Sequence, residues 1–205
     1  HDRLDELIDR GVDYLLSQQN SDGGWGDTSL SYSNIATTML ASSALQLAGQ
    51  VDDHASELRS AQLYLEGKGG IEGLRKSYGR DKTFAVPILA NAALAGLADW
   101  RDVAPLPFEL ACFPQSLYRL LGMPVVSYAI PALVGIGQAR FFHRAPRNPL
   151  TWLVRRLAIG RSLRVLRRMQ PESGGYLEAT PLTSFVVMSL ASTGKVHHQV
   201  TVAGV

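Results

Sequence analysis

Paired carboxylates are the residues of this chain that come closest to acid chemistry. A carboxylic acid protonates a weak base only if its neutral form is retained and its conjugate base is stabilised by neighbouring carboxylates and hydrogen bonds. Asp52 and Asp53 are adjacent, and Asp99 and Asp102 are three residues apart. The first pair precedes a predicted helix, as capping residues do, and the second lies in a segment rich in turn residues. We therefore predict no catalytic residue in this chain.

Histidine and cysteine residues form no recognisable metal or nucleophile motif. Cys112 is the single cysteine, which excludes a disulfide framework and a multi-cysteine zinc site, and we predict that it is a small buried residue. His143, His197 and His198 lack partners at metal-ligand spacing. The Gly-Gly pairs follow predicted helices and not strands, which excludes a nucleotide-binding loop. We predict that the chain holds no metal and no cofactor.

A short motif occurs twice, at an offset of 151 residues. The first copy reads Gln-Asn-Ser-Asp-Gly-Gly-Trp-Gly, and the second reads Gln-Pro-Glu-Ser-Gly-Gly-Tyr. In each copy the Gly-Gly pair predicts a turn with positive φ, and the aromatic ring can then fold back over the preceding helix end. The motif comprises Gln19, Gly23, Gly24 and Trp25 in the first copy, and Gln170, Gly174, Gly175 and Tyr176 in the second.

The segments around the two copies are also alike, which indicates a repeat. Apolar residues at helical spacing precede each copy. After each copy a second apolar helix is predicted to end at a glycine, Gly49 in one case and Gly194 in the other. A weaker third unit lies around Gly69 and Gly70, where both the glutamine and the aromatic residue are missing.

These patterns predict an all-α fold, an incomplete α/α barrel in which inner and outer helices alternate. We expect residues 1–205 to form a single α/α-toroid domain, interrupted by a proline-rich loop at 99–114. Helices are predicted at 3–20, 34–48, 54–66, 82–98, 115–121, 125–143, 150–169 and 182–193.

The Gln-x-x-x-Gly-x-Trp pattern at Gln19 to Trp25 resembles the Gln-Trp repeat of the squalene-hopene and oxidosqualene cyclases. Relatives of these enzymes include the protein prenyltransferase β subunits. The run from Tyr64 to Glu72 is similar to a stretch in the amino-terminal half of bacterial squalene-hopene cyclases. The resemblance covers about Leu4 to His197, and the order of segments matches the first, noncatalytic α/α domain of such an enzyme.

The resemblance implies a squalene-like isoprenoid substrate, a linear C30 polyene that is cyclised after protonation in hopanoid biosynthesis. Cyclases of this family protonate with the middle Asp of an Asp-x-Asp-Asp motif, which this chain lacks. We therefore expect the 205 residues to be inactive alone, as a fragment whose partner is the carboxy-terminal catalytic domain of its own chain. The alternative is a non-enzymatic α/α toroid that binds a lipid or a partner protein.

One aromatic residue is a candidate for the substrate cavity. By the resemblance, the stretch Ser127-Tyr128-Ala129 corresponds to a Ser-Trp-Ala stretch whose aromatic ring lines the cyclisation cavity. An aromatic face stabilises a carbocation without acting as a nucleophile or a base. The other interpretation of Tyr128 is a core tyrosine whose hydroxyl group is bonded locally.

Charge is divided unevenly along the chain. Residues 1–109 carry 9 basic and 16 acidic groups, whereas residues 110–171 carry 10 arginines and no acid. The arginines could form a solvated helix face paired with the acidic first half, or bind anionic lipid headgroups or a diphosphate. We predict no nucleic-acid partner, because no recognition motif accompanies the charge.

A stretch of twenty uncharged residues lies between Arg119 and Arg140. Its length would allow a bilayer span, but Pro124 and Pro131 favour an inner helix that is packed on both sides. A monotopic membrane contact is the other interpretation. Because the acidic amino terminus is unlike a signal peptide, we expect a peripheral or monotopic protein on the cytoplasmic side of a membrane. A homodimer is a further partner that the sequence leaves open.

Overall fold

All regular structure in the described part of the chain is helical. The computed structural model describes residues 2–49, 51–79, 84–113 and 130–205, and no strand occurs within those ranges. The predicted all-α fold is therefore confirmed. The chain divides into two compact units, residues 1–102 and residues 103–205. A single domain over residues 1–205 stays a prediction.

The helices have the following bounds. The first unit contains α1 (Asp2–Ser17), α2 (Ile35–Leu47), α3 (Ala55–Gly67), α4 (Gly70–Ser77) and α5 (Ala85–Leu94). The described part of the second unit contains a 3₁₀ helix (Phe108–Cys112), α6 (Ile130–His143), α7 (Pro149–Met169), a 3₁₀ turn (Tyr176–Glu178), α8 (Thr180–Ala191) and α9 (Gln199–Ala203).

Helices α2 and α5 form the centre of the first unit because their sequences are apolar on most sides. Seven of the ten residues of α5 and seven of the thirteen residues of α2 are buried. The small side chains of alanine and serine allow the two helices to pack closely. Asn34 begins α2 by accepting a hydrogen bond from the backbone N–H of Thr37 at 2.9 Å, which satisfies one of the free donors of the first turn.

The second unit is built around α6 and α8. A Cβ atom added at Gly135 of α6 would lie 3.1 Å from the Cα atom of Val186 on α8, so the glycine permits the close crossing of these helices. Helix α7 packs on α6 and on the 3₁₀ helix, and Leu166 and Tyr176 are almost completely buried in the resulting core. Asn148 caps α7 by accepting hydrogen bonds from the backbone N–H groups of its first turn.

Two short helices were missing from the sequence prediction. The Gly69-Gly70 pair was interpreted as a turn within a weak repeat, but its positive φ angles lead directly into α4. Helix α4 has a single fully buried side chain, that of Leu74, so it carries little apolar periodicity. Helix α9 is also absent from the prediction, and it is preceded by His198, whose Nδ1 atom accepts from the backbone N–H of Val200.

Other boundaries also differ from the prediction. The helix predicted at 3–20 ends at Ser17, and the helix predicted at 82–98 occupies Ala85–Leu94 within the described residues. The proline-rich loop at 99–114 contains the 3₁₀ helix Phe108–Cys112. The helix predicted at 115–121 and the start of the helix predicted at 125–143 lie outside the described residues.

The described part of the long uncharged stretch belongs to α6, in which eight of fourteen residues are buried. This burial agrees with the interpretation as a packed inner helix. Among the described residues, no helix combines the length and the apolar character that a bilayer crossing requires.

Candidate functional site

The first motif turn is held by the side-chain amide of Gln19. Its Nε2 atom donates to the backbone oxygen of Gly23 at 2.9 Å and to that of Glu57, in the first turn of α3, at 3.0 Å. Gly23 has a φ angle of +85°, which favours glycine. The Trp25 ring is buried, and its Nε1 atom donates to the backbone oxygen of Leu15 at 2.7 Å. The ring therefore covers the end of α1.

The second motif turn makes the same set of contacts. The Nε2 atom of Gln170 donates to the backbone oxygen of Gly174 at 2.8 Å and to that of Val200, in α9, at 3.0 Å. Gly174 has a φ angle of +84°. The hydroxyl group of Tyr176 donates to the backbone oxygen of Leu166 at 3.1 Å, and burial raises the pKa of this hydroxyl group. Tyrosine thus takes the position of tryptophan with its hydrogen bond retained.

The first glycine of each pair is required for space as well as for its φ angle. A Cβ atom at Gly23 would lie 2.6 Å from the backbone oxygen of Ser60 on α3. A Cβ atom at Gly174 would lie 1.7 Å from the backbone oxygen of Ala203 on α9. Both contacts are far inside van der Waals distance, so each turn packs directly on the backbone of the second helix after it, α3 or α9.

The second glycines differ between the copies. A Cβ atom at Gly24 would lie 2.6 Å from the Cβ atom of Ser33 and 2.9 Å from Oγ1 of Thr38. At Gly175 the nearest atom would be 3.7 Å away, and the backbone is extended, with φ −85° and ψ 125°. Positive φ is therefore confined to the first glycine of each pair, and the second glycine is sterically required only in the first copy.

Two threonines complete the turns, and the sequence analysis missed both. The backbone N–H of Trp25 donates to Oγ1 of Thr38, and the backbone N–H of Tyr176 donates to Oγ1 of Thr183, each at 2.9 Å. Both threonines are buried, and each is the fourth residue of the helix that follows its turn. Their shared position in the helix becomes a signal only once the helix starts are known from the fold.

The first copy carries a longer loop between the turn and the next helix, and two aspartates organise it. Oδ1 of Asp22 accepts from Oγ of Ser33 at 2.6 Å, and Oδ1 of Asp27 accepts from Oγ1 of Thr37 at 2.5 Å and from Nδ2 of Asn34 at 2.8 Å. These hydrogen bonds to Ser33 and to Thr37 are the main causes that lower the pKa of Asp22 and of Asp27. The aspartates therefore serve as charged acceptors and not as acids.

The carboxylates considered in the sequence lie beside arginines or in an exposed turn. Asp99 accepts from the guanidinium group of Arg101 at 3.0 Å, and Asp102 lies 3.4 Å from that of Arg75. Asp52 and Asp53 lie in an exposed turn before α3. Each of these carboxylates is therefore either paired with a guanidinium group or exposed to solvent.

Histidine and cysteine residues are likewise separate in the described ranges, where no group of three or more potential metal ligands occurs. His143 shares a hydrogen bond with Ser192 at 3.2 Å, and His198 caps α9. Cys112 was predicted to be buried but is only partly buried. Its Sγ atom donates to the backbone oxygen of Ala158 at 3.7 Å, and partial burial raises the pKa of this thiol. Tyr128, the candidate for the substrate cavity, lies outside the described residues.

The arginines of α7 do not share one environment. Arg155 is buried, and its Nε atom lies 3.1 Å from Oε1 of Glu109, with the guanidinium group 5.9 Å from the centre of the Phe108 ring. Arg156 and Arg161, by contrast, are exposed. Only the first of these arginines therefore anchors α7 to the 3₁₀ helix by an ion pair.

The fold and the paired turns together define a class, an all-helical repeat protein in which Gln-Gly-Gly-aromatic turns clamp successive helices. Residues 2–129 match the model of one family, the squalene-hopene cyclase N-terminal domain. The match covers more than half of the chain, and the chain belongs to this family. Assignment of the two turns to the Gln-Trp repeat of that family stays a prediction.

Two curated relatives support the same family. Squalene hopane cyclase afumA of Aspergillus fumigatus is 33% identical over 141 residues, which cover 67% of this chain and 17% of the relative. A cycloartenol synthase of Dictyostelium discoideum is 31% identical over 147 residues, which cover 71% of this chain and 19% of the relative. The chain thus spans less than a fifth of the length of either relative.

Proposed function

We propose that this chain is the amino-terminal, noncatalytic domain of a triterpene cyclase that acts on a squalene-like isoprenoid. The match of residues 2–129 to the squalene-hopene cyclase N-terminal domain is the observation that carries the proposal. The reaction would be the proton-initiated cyclisation of a linear C30 polyene, and the proposed product class is the hopanoids. Relatives named as a squalene hopane cyclase and a cycloartenol synthase support a cyclisation. Because the two names differ, they do not select one product skeleton.

In this proposal the chain contributes structure and surface, and the acid comes from the carboxy-terminal catalytic domain of the same polypeptide. The sequence contains no Asp-x-Asp-Asp motif, and Asp99 and Asp102 are paired with arginines. The motif turns fix helix ends through backbone and amide hydrogen bonds, which is a structural task. We therefore predict that the 205 residues alone do not cyclise a polyene.

Reading the source gene beyond the codon for Val205 tests this proposal. We expect an open frame of several hundred further codons that encodes an Asp-x-Asp-Asp motif. A frame of that length without the motif would contradict the assignment of the acid. A native protein whose mass corresponds to these residues alone would contradict the cyclase proposal and favour the non-enzymatic alternative.

The non-enzymatic alternative, an α/α toroid that binds a lipid or a partner protein, has one observation in its favour. The first unit contains a cleft of about 550 Å³, a size typical of sites for small apolar molecules. The cleft is lined by residues of α2, α3, α5 and the segment after α5, among them Met39, Ser42, Leu58, Leu65, Ala92 and Leu97. Ser42 is buried, and its Oγ atom has no hydrogen-bond partner among the described residues. A homodimer is likewise a proposal.

We also propose that α7 makes a peripheral or monotopic contact with the cytoplasmic face of a membrane. One exposed side of its first half, here called the apolar stripe, consists of Leu150, Leu153, Val154 and Leu157, with exposed fractions between 46% and 69%. Exposed Arg161, Arg164 and Arg168 continue the same side at helical spacing. An apolar stripe followed by cations suits the boundary between acyl chains and anionic headgroups.

Vesicle co-sedimentation tests the membrane contact. We expect Leu153→Ser combined with Leu157→Ser to reduce binding to anionic vesicles about tenfold, because each leucine loses apolar area that would enter the bilayer. Leu47→Ser combined with Leu63→Ser is the matched control, since these leucines are 48% and 56% exposed but lie on α2 and α3. Equal loss in both double variants would contradict a contact through the apolar stripe.

A further inference from the structure

The second unit contains a pocket of about 420 Å³ whose lining combines cations with aromatic rings. It is formed by the end of α6, the first half of α7 and the loop after α8. Its lining includes Gln138, Phe141, Phe142, Trp152, Arg156 and Lys195. We call it the basic pocket.

Two positive charges face the basic pocket. Arg156 is exposed, and Lys195 is partly buried, with its Nζ atom donating to Oγ1 of Thr193 at 2.6 Å. Burial lowers the pKa of Lys195, and the charge of Arg156 lowers it further. The two cations are therefore close enough to repel each other across the same space.

No carboxylate of the described second unit lines the basic pocket. Residues 103–205 contain three acidic side chains. Glu109 is paired with Arg155, Glu178 accepts from Oγ of Ser173 at 2.6 Å, and Glu172 is exposed on the loop after α7. The charges of the basic pocket are thus balanced by no acidic side chain of this unit, and an anion would remove their repulsion.

A buried amide oxygen of Gln138 lacks a hydrogen-bond donor in the described part of the chain. Gln138 is 2% exposed, and its Nε2 atom donates to Oγ of Ser162 at 3.0 Å. Its Oε1 atom is buried and has no hydrogen-bond partner among the described residues. Buried polar atoms are almost always hydrogen-bonded, and a carbonyl oxygen can only accept. Gln138 is among the lining residues, so the basic pocket combines two cations with a side chain whose acceptor is left unsatisfied by the described residues.

We propose that the basic pocket binds a phosphate ester that carries a neighbouring hydroxyl group, of the glycerol phosphate kind. The phosphate group pairs with Arg156 and Lys195, because a guanidinium group binds phosphate oxygens in a bidentate manner and an ammonium group adds a point charge. A hydroxyl group of the glycerol donates to Oε1 of Gln138. This site goes beyond the proposed cyclase function, since it requires no polyene chemistry.

Two sources can supply this chemistry, a free glycerol phosphate or the headgroup of phosphatidylglycerol. Phe142 and Trp152 lie at the rim, 61% and 43% exposed, and tryptophan is common where a protein meets the lipid headgroups. Trp152 also adjoins the apolar stripe in sequence, between Leu150 and Leu153. The arms of the experiment below separate the two sources.

Isothermal titration of the whole chain with glycerol 3-phosphate and with inorganic phosphate tests the free source. We expect glycerol 3-phosphate to bind about tenfold more tightly, as one additional hydrogen bond to a buried acceptor predicts. Gln138→Leu should bring the two affinities within about twofold, and Arg156→Gln combined with Lys195→Gln should weaken both. Lys195→Gln alone, at a partly buried surface position, serves as the second variant if Gln138→Leu does not fold.

Vesicle binding tests the lipid source. The affinity for vesicles with phosphatidylglycerol is compared with the affinity for vesicles with phosphatidylmethanol, which has the same charge but no free hydroxyl group. At equal anionic fraction we expect about tenfold tighter binding to phosphatidylglycerol than to phosphatidylmethanol. Gln138→Leu should remove this preference. Arg161→Gln combined with Arg164→Gln removes the same charge from the exposed side of α7, and it should lower both affinities while leaving their ratio unchanged.

Preference for the glycerol ester in either arm supports binding in the basic pocket and identifies whether the ligand is free or a lipid headgroup. Absence of the preference in both arms overturns the proposal, and so does a preference that survives Gln138→Leu or an affinity that is unchanged by Arg156→Gln combined with Lys195→Gln. Failure of the apolar-stripe variants to affect vesicle binding concerns only the membrane contact, because the titration with free glycerol 3-phosphate requires no membrane.

Discussion

In each motif copy one side-chain amide, that of Gln19 or of Gln170, connects a helix end, the turn after it and a later helix. Each amide lies at the end of one helix and donates to the turn that follows and to the first turn of a later helix. No shorter side chain reaches both acceptors, and an acidic side chain would place charge against two carbonyl oxygens. The residue type is therefore fixed by geometry in both copies.

Removing these amides should destabilise the protein. We expect Gln19→Ala and Gln170→Ala each to lower the free energy of unfolding by about 1–3 kcal/mol, because two partly buried carbonyl oxygens lose their donor. Gln62→Ala is the control, since the Gln62 amide donates only to the exposed carboxylate of Glu66, and it should change stability by about 0.5 kcal/mol or less. Urea denaturation measures all three, and equal effects would contradict the clamping role.

The second glycines of the motif provide a matched pair of substitutions. Gly24→Ala should destabilise the protein by about 1–3 kcal/mol, because the new methyl group would overlap Ser33 and Thr38. Gly175→Ala should be neutral or stabilising by about 0.5 kcal/mol, because its backbone is extended and the nearest atom is 3.7 Å away. Thermal unfolding of both variants checks this order, and the reverse order would show that the two turns are packed differently.

The aspartates of the first loop predict a dependence of stability on pH. Hydrogen bonds lower the pKa of Asp27 below the ordinary value of 3.8, so its contribution to stability is fully present above that pH and is lost as the pH falls through the folded-state pKa. We expect Asp27→Asn and Thr37→Val to reduce the acid-induced loss of stability in denaturation curves between about pH 5 and pH 2. Thr28→Val, in the same loop, should leave the slope unchanged.

Part of this residue-scale structure could be predicted from the sequence. The glycines at 23 and 174 predict a positive φ angle, and the aromatic residue after each Gly-Gly pair predicts a ring that folds back on the preceding helix end. Thr38 and Thr183 were not identified, because a hydroxyl group inside an apolar helix has no distinctive local pattern and its backbone partner is known only from the fold. The steric difference between Gly24 and Gly175 likewise depends on a packed neighbour, Ser33.

At the scale of elements, short helices and a buried ion pair were the features that sequence periodicity could not supply. Helix α4 has eight residues and α9 has five, which is too few turns for an apolar stripe to be recognised. The long apolar helices α2, α5, α6 and α8 were predicted near their observed positions, because burial on most sides leaves a continuous apolar signal. Among many arginines of α7, the buried one could not be distinguished by composition.

The pair of Arg155 with Glu109 predicts a large effect of a single charge deletion. Arg155→Met should lower the free energy of unfolding by about 3 kcal/mol, because the Glu109 carboxylate would remain largely buried without its partner. Arg161→Met, at an exposed position of the same helix, should change stability by about 0.5 kcal/mol or less. Chemical denaturation gives both values, and a small effect at Arg155 would show that the pair is solvated in solution.

At the scale of the whole molecule, each unit contains one Gln-Gly-Gly-aromatic turn, but the two parts of the sequence differ in charge. The amino-terminal 109 residues are acidic, whereas 110–171 contain arginines and no acid. The family match covers residues 2–129, which include the first motif turn, whereas the apolar stripe and the basic pocket are both in the second unit. Under the proposed function, the acid lies outside these 205 residues and the role of the chain is structural.

Conversion of squalene by the complete gene product tests the central claim most directly. We predict a cyclised C30 product from the complete protein, none from residues 1–205 alone, and none when the proposed Asp-x-Asp-Asp motif is changed to Asn at its middle position. Gas chromatography with mass spectrometry of the extracted lipids measures each outcome. Cyclisation by residues 1–205 alone, or an active complete protein whose cyclisation does not depend on that motif, would contradict the account.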